Sequence, residues 1–339
     1  MFNSSYAIHM TRIIVTLLAI AAAAPMWTEQ TSGVTARLRG VSAVSDRVAW
    51  ASGSGGTIVR TSDGGATWQR LTIPGAEKLD FRDVDAVSAD VAYVLSIGSG
   101  DSSRIYKTID AGKTWTLQFT NTDPKAFFDA MAFFDANRGI AFSDSVDGQL
   151  VILRTENGGA AWTRVPTAGL PPALDNEGAF AASGTNVAVI GRDRVWIGTS
   201  VSRVLRSTDG GRTWSAATTP VATGSAAGIF SIAFRDTSHG IVVGGDYRKE
   251  SEAVDNAAIT SDGGKTWTAV KGLSGFRSVV TYLPGAATTL VAIGPQGADL
   301  STDDGRTWSP LAGATGLHTF AVNRQSLPGR SSPSERRLI

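Results

Sequence analysis

Short apolar runs alternate with glycine-rich turns along most of the chain, and the same order of runs recurs six times. In the first copy these runs are residues 38–41, 48–51 and 57–60, and the last one leads into a turn that ends in a tryptophan. Runs of this length, rich in β-branched and aromatic residues and bounded by glycine, are typical of β-strands. No amphipathic helical pattern occurs, so the sequence predicts an all-β fold of antiparallel strands.

A turn of eight residues marks each copy. The six turns begin with Thr or Ser, have Asp or Asn at the third position and Gly at the fifth, and end in Trp; they are residues 61–68, 108–115, 155–162, 207–214, 260–267 and 301–308. Their tryptophans are 47, 47, 52, 53 and 41 residues apart, which is the period of one propeller blade. The sequence therefore predicts a β-propeller of four-stranded antiparallel blades.

The composition of the turn follows from its geometry, because the chain must reverse within a few residues between the third and fourth strands. An Asp or Asn side chain accepts N–H groups of its own turn, and glycine adopts positive φ. The tryptophan is expected to pack against the neighbouring sheet. The residues with this structural role are Asp63, Trp68, Asp110, Trp115, Asn157, Trp162, Asp209, Trp214, Asp262, Trp267, Asp303 and Trp308. Asn157 and Ala161 depart from the pattern and predict a weaker third turn.

Both ends of the repeat region contain parts of a further copy. Residues 27–33 (WTEQTSG) resemble a fourth strand that follows a missing turn, and residues 317–322 (LHTFAV) resemble a first strand. Pairing the two ends in one blade would close the ring and remove open sheet edges. We therefore expect six complete blades and an imperfect seventh within residues 25–322, followed by an irregular or disordered tail at residues 323–339.

The first 24 residues have the pattern of a signal peptide. Arg12 precedes a largely apolar run of twelve residues, 13–24, which is too short to span a bilayer. The start is Met1 or Met10, and a buried helix is the alternative interpretation. No later segment reaches membrane length, and without cysteine there is no lipoprotein anchor or disulfide. The pattern predicts a periplasmic or secreted protein.

The repeats resemble the BNR/Asp-box superfamily. More closely, the first copy, LRGVSAVSDRVAWASGSGGTIVRTSDGGATW, resembles the repeat of the photosystem II stability and assembly factor family, and the likeness extends over about residues 27–322. The resemblance implies an exported propeller that binds a membrane-protein intermediate during assembly. Sialidases and xyloglucan hydrolases share the Asp-box, which lies outside their chemistry, so function has to be argued from sites.

The inner strands suggest where a partner binds. Polar residues that follow an apolar residue at the start of these strands are Arg39, Arg82, Asp129, Arg277 and His318. In a propeller the inner strands line the central channel, so we expect these side chains to surround one mouth of it. A mostly basic ring would suit an acidic segment of a protein partner or a carboxylate ligand. The alternative is that each pairs with a neighbouring acid, such as Asp83, and lines a wet channel.

Composition narrows the remaining functions. A formal net charge of +1 provides no basic field for nucleic acid, and the absence of cysteine excludes thiolate metal sites and thiol nucleophiles. We expect no cofactor, no metal and no transmembrane segment in the mature chain, and a monomer.

An enzyme remains the alternative to a binding protein. A glycosidase would use paired carboxylates, for which the candidates are Asp144, Asp246 and Glu177. The Phe/Tyr-Arg-Ile-Pro segment of sialidases is absent. We therefore favour a non-enzymatic scaffold or chaperone for a membrane or envelope complex. A carbohydrate-active hydrolase, sialidase-like or xyloglucanase-like, and a carbohydrate-binding propeller are the alternatives.

Overall fold

The glycine-bounded apolar runs form twenty-four β-strands in the part of the chain that this computed structural model describes, residues 30–313, 315–319 and 321–322. The strands make six sheets of four, and in each sheet they lie side by side in chain order and antiparallel. Within those residues the helical elements are two 3₁₀ turns, Gly100–Ser102 and Thr167–Gly169. The predicted all-β propeller of four-stranded antiparallel blades is confirmed. The expected signal peptide and tail lie outside the described residues.

The first three blades contain twelve strands. Blade 1 comprises β1 (Leu38–Ala43), β2 (Ala49–Gly53), β3 (Thr57–Thr61) and β4 (Gln69–Leu71). Blade 2 comprises β5 (Asp80–Ala86), β6 (Ala92–Ile97), β7 (Arg104–Thr108) and β8 (Thr116–Thr120). Blade 3 comprises β9 (Phe128–Phe133), β10 (Gly139–Val146), β11 (Gln149–Thr155) and β12 (Thr163–Arg164).

The other three blades have the same order. Blade 4 comprises β13 (Val187–Ile190), β14 (Arg194–Gly198), β15 (Arg203–Ser207) and β16 (Ser215–Thr218). Blade 5 comprises β17 (Ala227–Phe234), β18 (Gly240–Asp246), β19 (Ala257–Thr260) and β20 (Thr268–Ala269). Blade 6 comprises β21 (Val279–Tyr282), β22 (Leu290–Gly294), β23 (Gly297–Ser301) and β24 (Ser309–Leu311).

Apolar side chains of neighbouring blades pack together and form the core. Between blades 1 and 2, for example, the fully buried Trp50 contacts the indole of Trp115 edge to face, with ring centroids 6.2 Å apart. Equivalent clusters join blades 2 and 3, 3 and 4, 4 and 5, and 5 and 6. The expected packing of the turn tryptophan against the neighbouring sheet is confirmed. Most of these indoles are half-buried, and Trp214 is 8% exposed.

The strand order divides the ring into two faces. Because each sheet is a meander, the starts of the first strands, the links between second and third strands and the links between blades lie at one end, which we call the upper face. The Asp-box turns, which join third and fourth strands, lie at the opposite end, which we call the box face. Functional candidates from the inner strands and the long loops therefore share the upper face.

The Asp-box turn is closed by hydrogen bonds of its own residues. Thr61 Oγ1 donates to Asp63 Oδ1 (2.8 Å) and accepts the N–H of Gly65 (2.9 Å). Asp63 also accepts the N–H and the hydroxyl of Thr67 at 2.9 and 2.6 Å. The Thr67 hydroxyl and N–H and the Thr61 hydroxyl hold the pKa of Asp63 at about 2. The predicted turn chemistry is confirmed, and the pattern recurs at Asp110, Asp209, Asp262 and Asp303.

The third blade departs from this pattern as its sequence predicts. Asn157 Oδ1 accepts the Thr155 hydroxyl at 3.0 Å and the N–H of Ala161 at 2.9 Å. Because Ala161 has no hydroxyl, the bond that Thr67 makes in blade 1 has no counterpart here. The turn keeps its shape with one hydrogen bond fewer.

Glycine at the fifth position of the turn is required by both conformation and space. Gly112 has φ of 86°, and a Cβ at this position would collide with the side chain of Leu71 in blade 1. A larger residue would strain the backbone and separate two blades. The positive φ and this close contact explain why the fifth position of the turn is glycine in all six copies.

The seventh position of the ring, between blades 6 and 1, is filled on its outer side by Gln30. The Gln30 side chain accepts the indole N–H of Trp68 at 3.1 Å and donates to the carbonyl of Gly64 at 3.2 Å. It covers Gly65 of the first box as Leu71 covers Gly112 of the second. Gln30 stands three residues after Trp27, as Leu71 stands three after Trp68. Gln30 thus takes the place of a fourth-strand residue, but residues 30–33 are not assigned to a strand, so the fourth strand expected over residues 27–33 is not found in its described part.

On the inner side, residues 317–319 and 321–322 occupy the seventh position without forming the expected strand. Leu317 and Val322 pack against the apolar residues of blade 6. The described residues of this segment are not assigned to a strand, so that part of the prediction was wrong. A first strand requires a second strand to pair with, and the described residues contain none for it. The complete blades therefore number six in the described chain.

Candidate functional site

Three of the five predicted ring residues lie at β-bulges in the inner strands. Pairing with the second strand shifts by one residue around Arg39, Arg82, Asp129 and Phe230. A bulge leaves one residue out of the ladder and re-aims its side chain, and bulges are frequent at rims next to binding sites. The upper face thus presents one unpaired inner-strand residue in each of blades 1, 2, 3 and 5.

Blades 1 and 2 make one side of the channel mouth cationic. Arg39 is half-buried, and burial together with the nearby Arg82 and Arg37 lowers its pKa, while Asp80 opposes this effect. The Nε of Arg39 is buried without a hydrogen-bond partner among the described residues. Arg82 pairs with Asp80 at 2.9 Å. Three guanidinium groups therefore approach one another beside a single carboxylate.

His318 lies next to this cationic side, in the seventh position. Burial lowers its pKa, Arg39 and Arg37 lower it further, and Glu250 acts in the opposite direction. The imidazole is therefore neutral at pH 7, because its ordinary pKa is already about 6.5. The predicted proximity of His318 to Arg39 is found, but His318 contributes no positive charge at neutral pH.

Arg277 has a different environment from the other predicted ring residues. Its side chain is fully buried, and its guanidinium pairs with Asp299 at 2.7 Å, where both side chains are 0% exposed. It also donates to the Phe276 carbonyl at 2.8 Å and to the Ser274 hydroxyl. All of these groups belong to blade 6 and the segment that leads into it, so the charge of Arg277 is compensated inside the blade.

Asp129 and Asp144 form a pair of carboxyl groups in blade 3. Asp129 is 1% exposed, and burial and the neighbouring Asp144 raise its pKa well above the ordinary value. Burial raises the pKa of Asp144 to about 6. The backbone N–H of Ala179 donates to Asp144 Oδ1 at 3.3 Å, and it also bonds Asp129. The pair therefore keeps a proton to a higher pH than two exposed carboxyl groups would.

The segment above this carboxyl pair is held close by Gly178 and Glu177. A Cβ at position 178 would collide with Asp144 Oδ1, so only glycine permits this approach. Glu177 is 0% exposed and pairs with Arg203 of blade 4 at 3.1 Å. The Gly178 carbonyl accepts the N–H of Ser200 at 2.8 Å. The segment is thus bonded to both blade 3 and blade 4.

Each of the three candidate catalytic acids is bound by different neighbours. Asp144 pairs with Asp129, and Glu177 is neutralised by Arg203. Asp246 ends β18 in blade 5, and its carboxylate accepts the N–H of Arg248 at 2.9 Å. A two-carboxylate hydrolase needs acids that face each other across a cleft about 5–10 Å wide.

Blade 5 and the links that precede blades 4 and 6 contribute aromatic side chains to the mouth. Phe180 stacks on Phe230, with ring centroids 3.9 Å apart and planes at 7°. Tyr247 meets both rings edge to face, at 6.1 and 6.0 Å. Phe276 meets Phe230 edge to face at 4.7 Å. We call these four residues the aromatic cluster.

The channel itself holds a cavity of about 250 Å³. All six inner strands line it, together with Ala321 and Val322 from the seventh position. Asp83 and Asp85 of blade 2 accept the N–H groups of Met131 and Phe133 in blade 3, both at 2.7 Å. The acids that line the channel therefore tie neighbouring blades together.

Residues 30–313, 315–319 and 321–322 contain no group of three or more His, Asp or Glu side chains arranged to hold a metal ion. They also contain no helix that is both long and apolar enough to cross a membrane.

Comparison with known families identifies the repeat. Residues 205–216 match the family model described as BNR/Asp-box repeat. This match contains the turn from Ser207 to Trp214, whose hydrogen bonds recur in the four other turns that have Asp at the third position. The protein is a β-propeller that contains a BNR/Asp-box repeat. No curated protein sequence matches the chain.

Several solved structures share the fold of this Asp-box propeller. YCF48 from Cyanidioschyzon merolae aligns with a TM-score of 0.58 and 16% identity, covering 85% of this chain and 89% of that chain. A structure of YCF48 bound to D1 peptide aligns with a TM-score of 0.57 and 16% identity, covering 86% of each chain. The GH74 xyloglucanase from Xanthomonas campestris has a TM-score of 0.55 and 18% identity over 82% of this chain and 45% of that chain. At these identities the likeness establishes the fold alone.

Sequence reasoning missed part of the site of the Asp-box propeller. Phe230 follows Ile229 as Arg39 follows Leu38, so alignment of the repeats could have placed it in the ring. Phe180 lies in a link between blades, where the repeat offers no register. The proximity of Asp144 to Asp129 was also missed, because the two acids belong to different strands.

Proposed function

We propose that this propeller is an exported binding protein that holds a segment of a protein partner on its upper face. It acts as a scaffold or chaperone for a membrane or envelope complex and has no reaction of its own. The observation that carries the proposal is the half-buried Arg39, which lies beside Arg37 and Arg82 with a buried Nε that has no partner among the described residues. Crowded cations beside one acid favour an anionic ligand, such as a carboxylate of a peptide.

The fold comparison supports a peptide as the ligand. YCF48, whose fold is similar, has been solved bound to D1 peptide. We infer that a peptide also suits the mouth of this propeller, because guanidinium groups bind carboxylates in bidentate geometry. The expected signal peptide at residues 1–24 supports a location in the periplasm or outside the cell, where a propeller meets envelope proteins.

The placement of the acids favours binding over hydrolysis. Glu177 is compensated by Arg203, and Asp144 shares its site with a buried acid rather than facing one across a cleft. We therefore expect purified protein to show no turnover on a panel of chromogenic glycosides. Turnover that is lost in Asp144→Asn or Asp246→Asn would reverse the proposal in favour of a glycosidase.

The binding proposal is tested by affinity capture from detergent-solubilised envelope extract, with partners identified by mass spectrometry. Arg37 is exposed, so Arg37→Glu changes the charge of the mouth without disturbing the core. Arg70, an exposed residue of the outer strand β4, gives the matched control Arg70→Glu. We expect one membrane or envelope protein to be retained by the wild type and by Arg70→Glu, and to be lost with Arg37→Glu. Equal capture by both variants would contradict the proposal.

A further inference from the structure

The aromatic cluster is an exposed apolar feature of the upper face. Phe230 and Phe276 are 5% and 3% exposed and form its floor, whereas Tyr247 is 41% exposed and Phe180 is half-buried. The rings of Tyr247 and Phe180 contact one another and Phe230, so packing determines their orientation. A rigid aromatic surface loses little side-chain entropy when a ligand covers it.

The aromatic cluster adjoins the cationic side of the mouth. Arg82 Nη1 donates to the carbonyl of Ala181 at 3.0 Å, and Ala181 follows Phe180 in the chain. One hydrogen bond therefore joins blade 2 to the segment that carries the upper ring. On the far side, the guanidinium of Arg248 lies 5.6 Å from the centre of the Tyr247 ring. Cations thus flank the aromatic cluster on two sides.

These flanking charges identify the chemistry of the occupant. An apolar side chain would cover the exposed faces of Tyr247 and Phe180, and the removal of apolar area from water is favourable. The neighbouring guanidinium groups favour carboxylates in the same ligand. A carbohydrate would use the aromatic faces as well, but an uncharged sugar makes no use of the crowded cations. An acidic peptide with one large apolar side chain uses both features.

We propose that the aromatic cluster is the second half of the partner site and receives an aromatic or aliphatic side chain of a peptide whose carboxylate binds Arg37, Arg39 and Arg82. This inference rests on the proposed function and adds to it the sequence chemistry of the partner segment. Specificity then depends on the spacing between the acidic and the apolar residue of that segment.

The test uses short fluorescein-labelled peptides of Gly and Ser that contain one Glu and a free terminal carboxylate. In one series a single Phe is moved stepwise away from the Glu, and the parent peptide has Ser instead. Fluorescence anisotropy gives Kd for the wild type, Tyr247→Ser and Phe180→Ser. Ile109→Ser is the matched control, because Ile109 is 67% exposed and lies in the Asp-box turn on the opposite face.

We expect one Phe spacing to lower the Kd of the wild type by about five- to tenfold relative to the parent peptide. Tyr247→Ser and Phe180→Ser should abolish this gain, while Ile109→Ser keeps both the gain and the Kd of the parent peptide. The aromatic cluster is not part of the site if both aromatic variants keep the gain in affinity. The same conclusion follows if the parent peptide binds and no Phe spacing lowers the Kd. In either case the proposed binding of a carboxylate by the arginines stands.

Two other outcomes separate this inference from the proposed function. If the wild type binds neither peptide, and Arg37→Glu also retains its envelope partner, both proposals fail together. Binding of a xyloglucan oligosaccharide that Tyr247→Ser abolishes, without any gain from Phe peptides, would make the aromatic cluster a carbohydrate platform and overturn the inference.

Discussion

Asp144 and Asp129 lie together in blade 3 and bond the same backbone N–H, that of Ala179. One of these acids is almost inaccessible to solvent, and burial raises the pKa of both. The groups around them are the Gly178 backbone above and, beyond it, the compensated pair of Glu177 and Arg203. The pair therefore holds a proton at a pH where an exposed carboxyl group would have lost it.

The pair predicts a pH dependence of stability. The pKa of Asp144 is about 6 in the folded protein and about 3.9 in the unfolded chain, so the folded state binds more protons between these values. Its contribution to stability is fully present below about pH 4 and is lost as the pH rises through 6. We expect the free energy of unfolding of the wild type to fall over this range, by at most about 1.4 kcal/mol per pH unit for each proton.

Asp144→Asn should make this pH profile flatter, because Asn does not ionise. Urea unfolding at several pH values, followed by tryptophan fluorescence, measures both profiles. The acidic turns contribute in the opposite direction: the pKa of Asp63 is lowered to about 2, so that contribution is lost only as the pH falls below about 4. Parallel profiles for the wild type and Asp144→Asn would contradict the assignment.

The buried ion pair of Arg277 and Asp299 predicts a large effect on stability. Arg277→Met leaves an uncompensated buried carboxylate, and we expect it to lower the free energy of unfolding by about 3–5 kcal/mol. Arg277→Met combined with Asp299→Leu should recover most of that loss, because no charge stays buried. Chemical denaturation of the three proteins gives the double-mutant cycle. A stable Arg277→Met variant that has lost partner binding would instead assign Arg277 to the partner site.

The turn tryptophans are not equivalent, and Trp214 and Trp68 form the most informative pair. Trp214 is 8% exposed and its indole donates to the Gly211 carbonyl at 3.0 Å, while Trp68 is half-buried and donates to Gln30. We expect Trp214→Ala to cost about 3–5 kcal/mol and Trp68→Ala clearly less. Thermal unfolding measures the loss of stability in each variant. An equal loss would contradict the prediction, because the tryptophan between blades 3 and 4 and the tryptophan at the seventh position would then be packed equally well.

The Asp-box acid can be probed with the substitution that the third blade already contains. Asp209 accepts the N–H and hydroxyl of Thr213 at 3.0 and 2.6 Å. We expect Asp209→Ala to cost about 1–2 kcal/mol, since several exposed hydrogen bonds are lost. Asp209→Asn should cost less, because Asn157 closes an equivalent turn with its amide oxygen. Equal effects of Ala and Asn would mean that the glycines alone determine the turn.

The sequence predicted correctly those features that depend on interactions between nearby residues. It did not predict features that depend on contacts between distant parts of the chain. The bonds of Asp63 reach only Thr61 and Thr67, so eight residues were enough to recognise each turn and its place between two strands. The register of Arg39, Arg82 and Asp129 could be read in the same way, because the repeat aligns them. The fate of residues 317–322 could not, since a first strand depends on a partner strand elsewhere in the chain.

The amino-acid sequence by itself determined the blades, the number of complete blades, the hydrogen bonding of the turns and the position at which the inner strands begin. It could do so because the same local pattern occurs six times along the chain. Only the tertiary structure decided at which of these positions a charged side chain can bind a ligand. Arg82 meets the carbonyl of Ala181 across a sequence separation of 99 residues, and Arg277 finds its counterion in Asp299 inside its own blade. The physical reason is that ring closure brings together links from different blades, whose lengths and conformations follow no repeat.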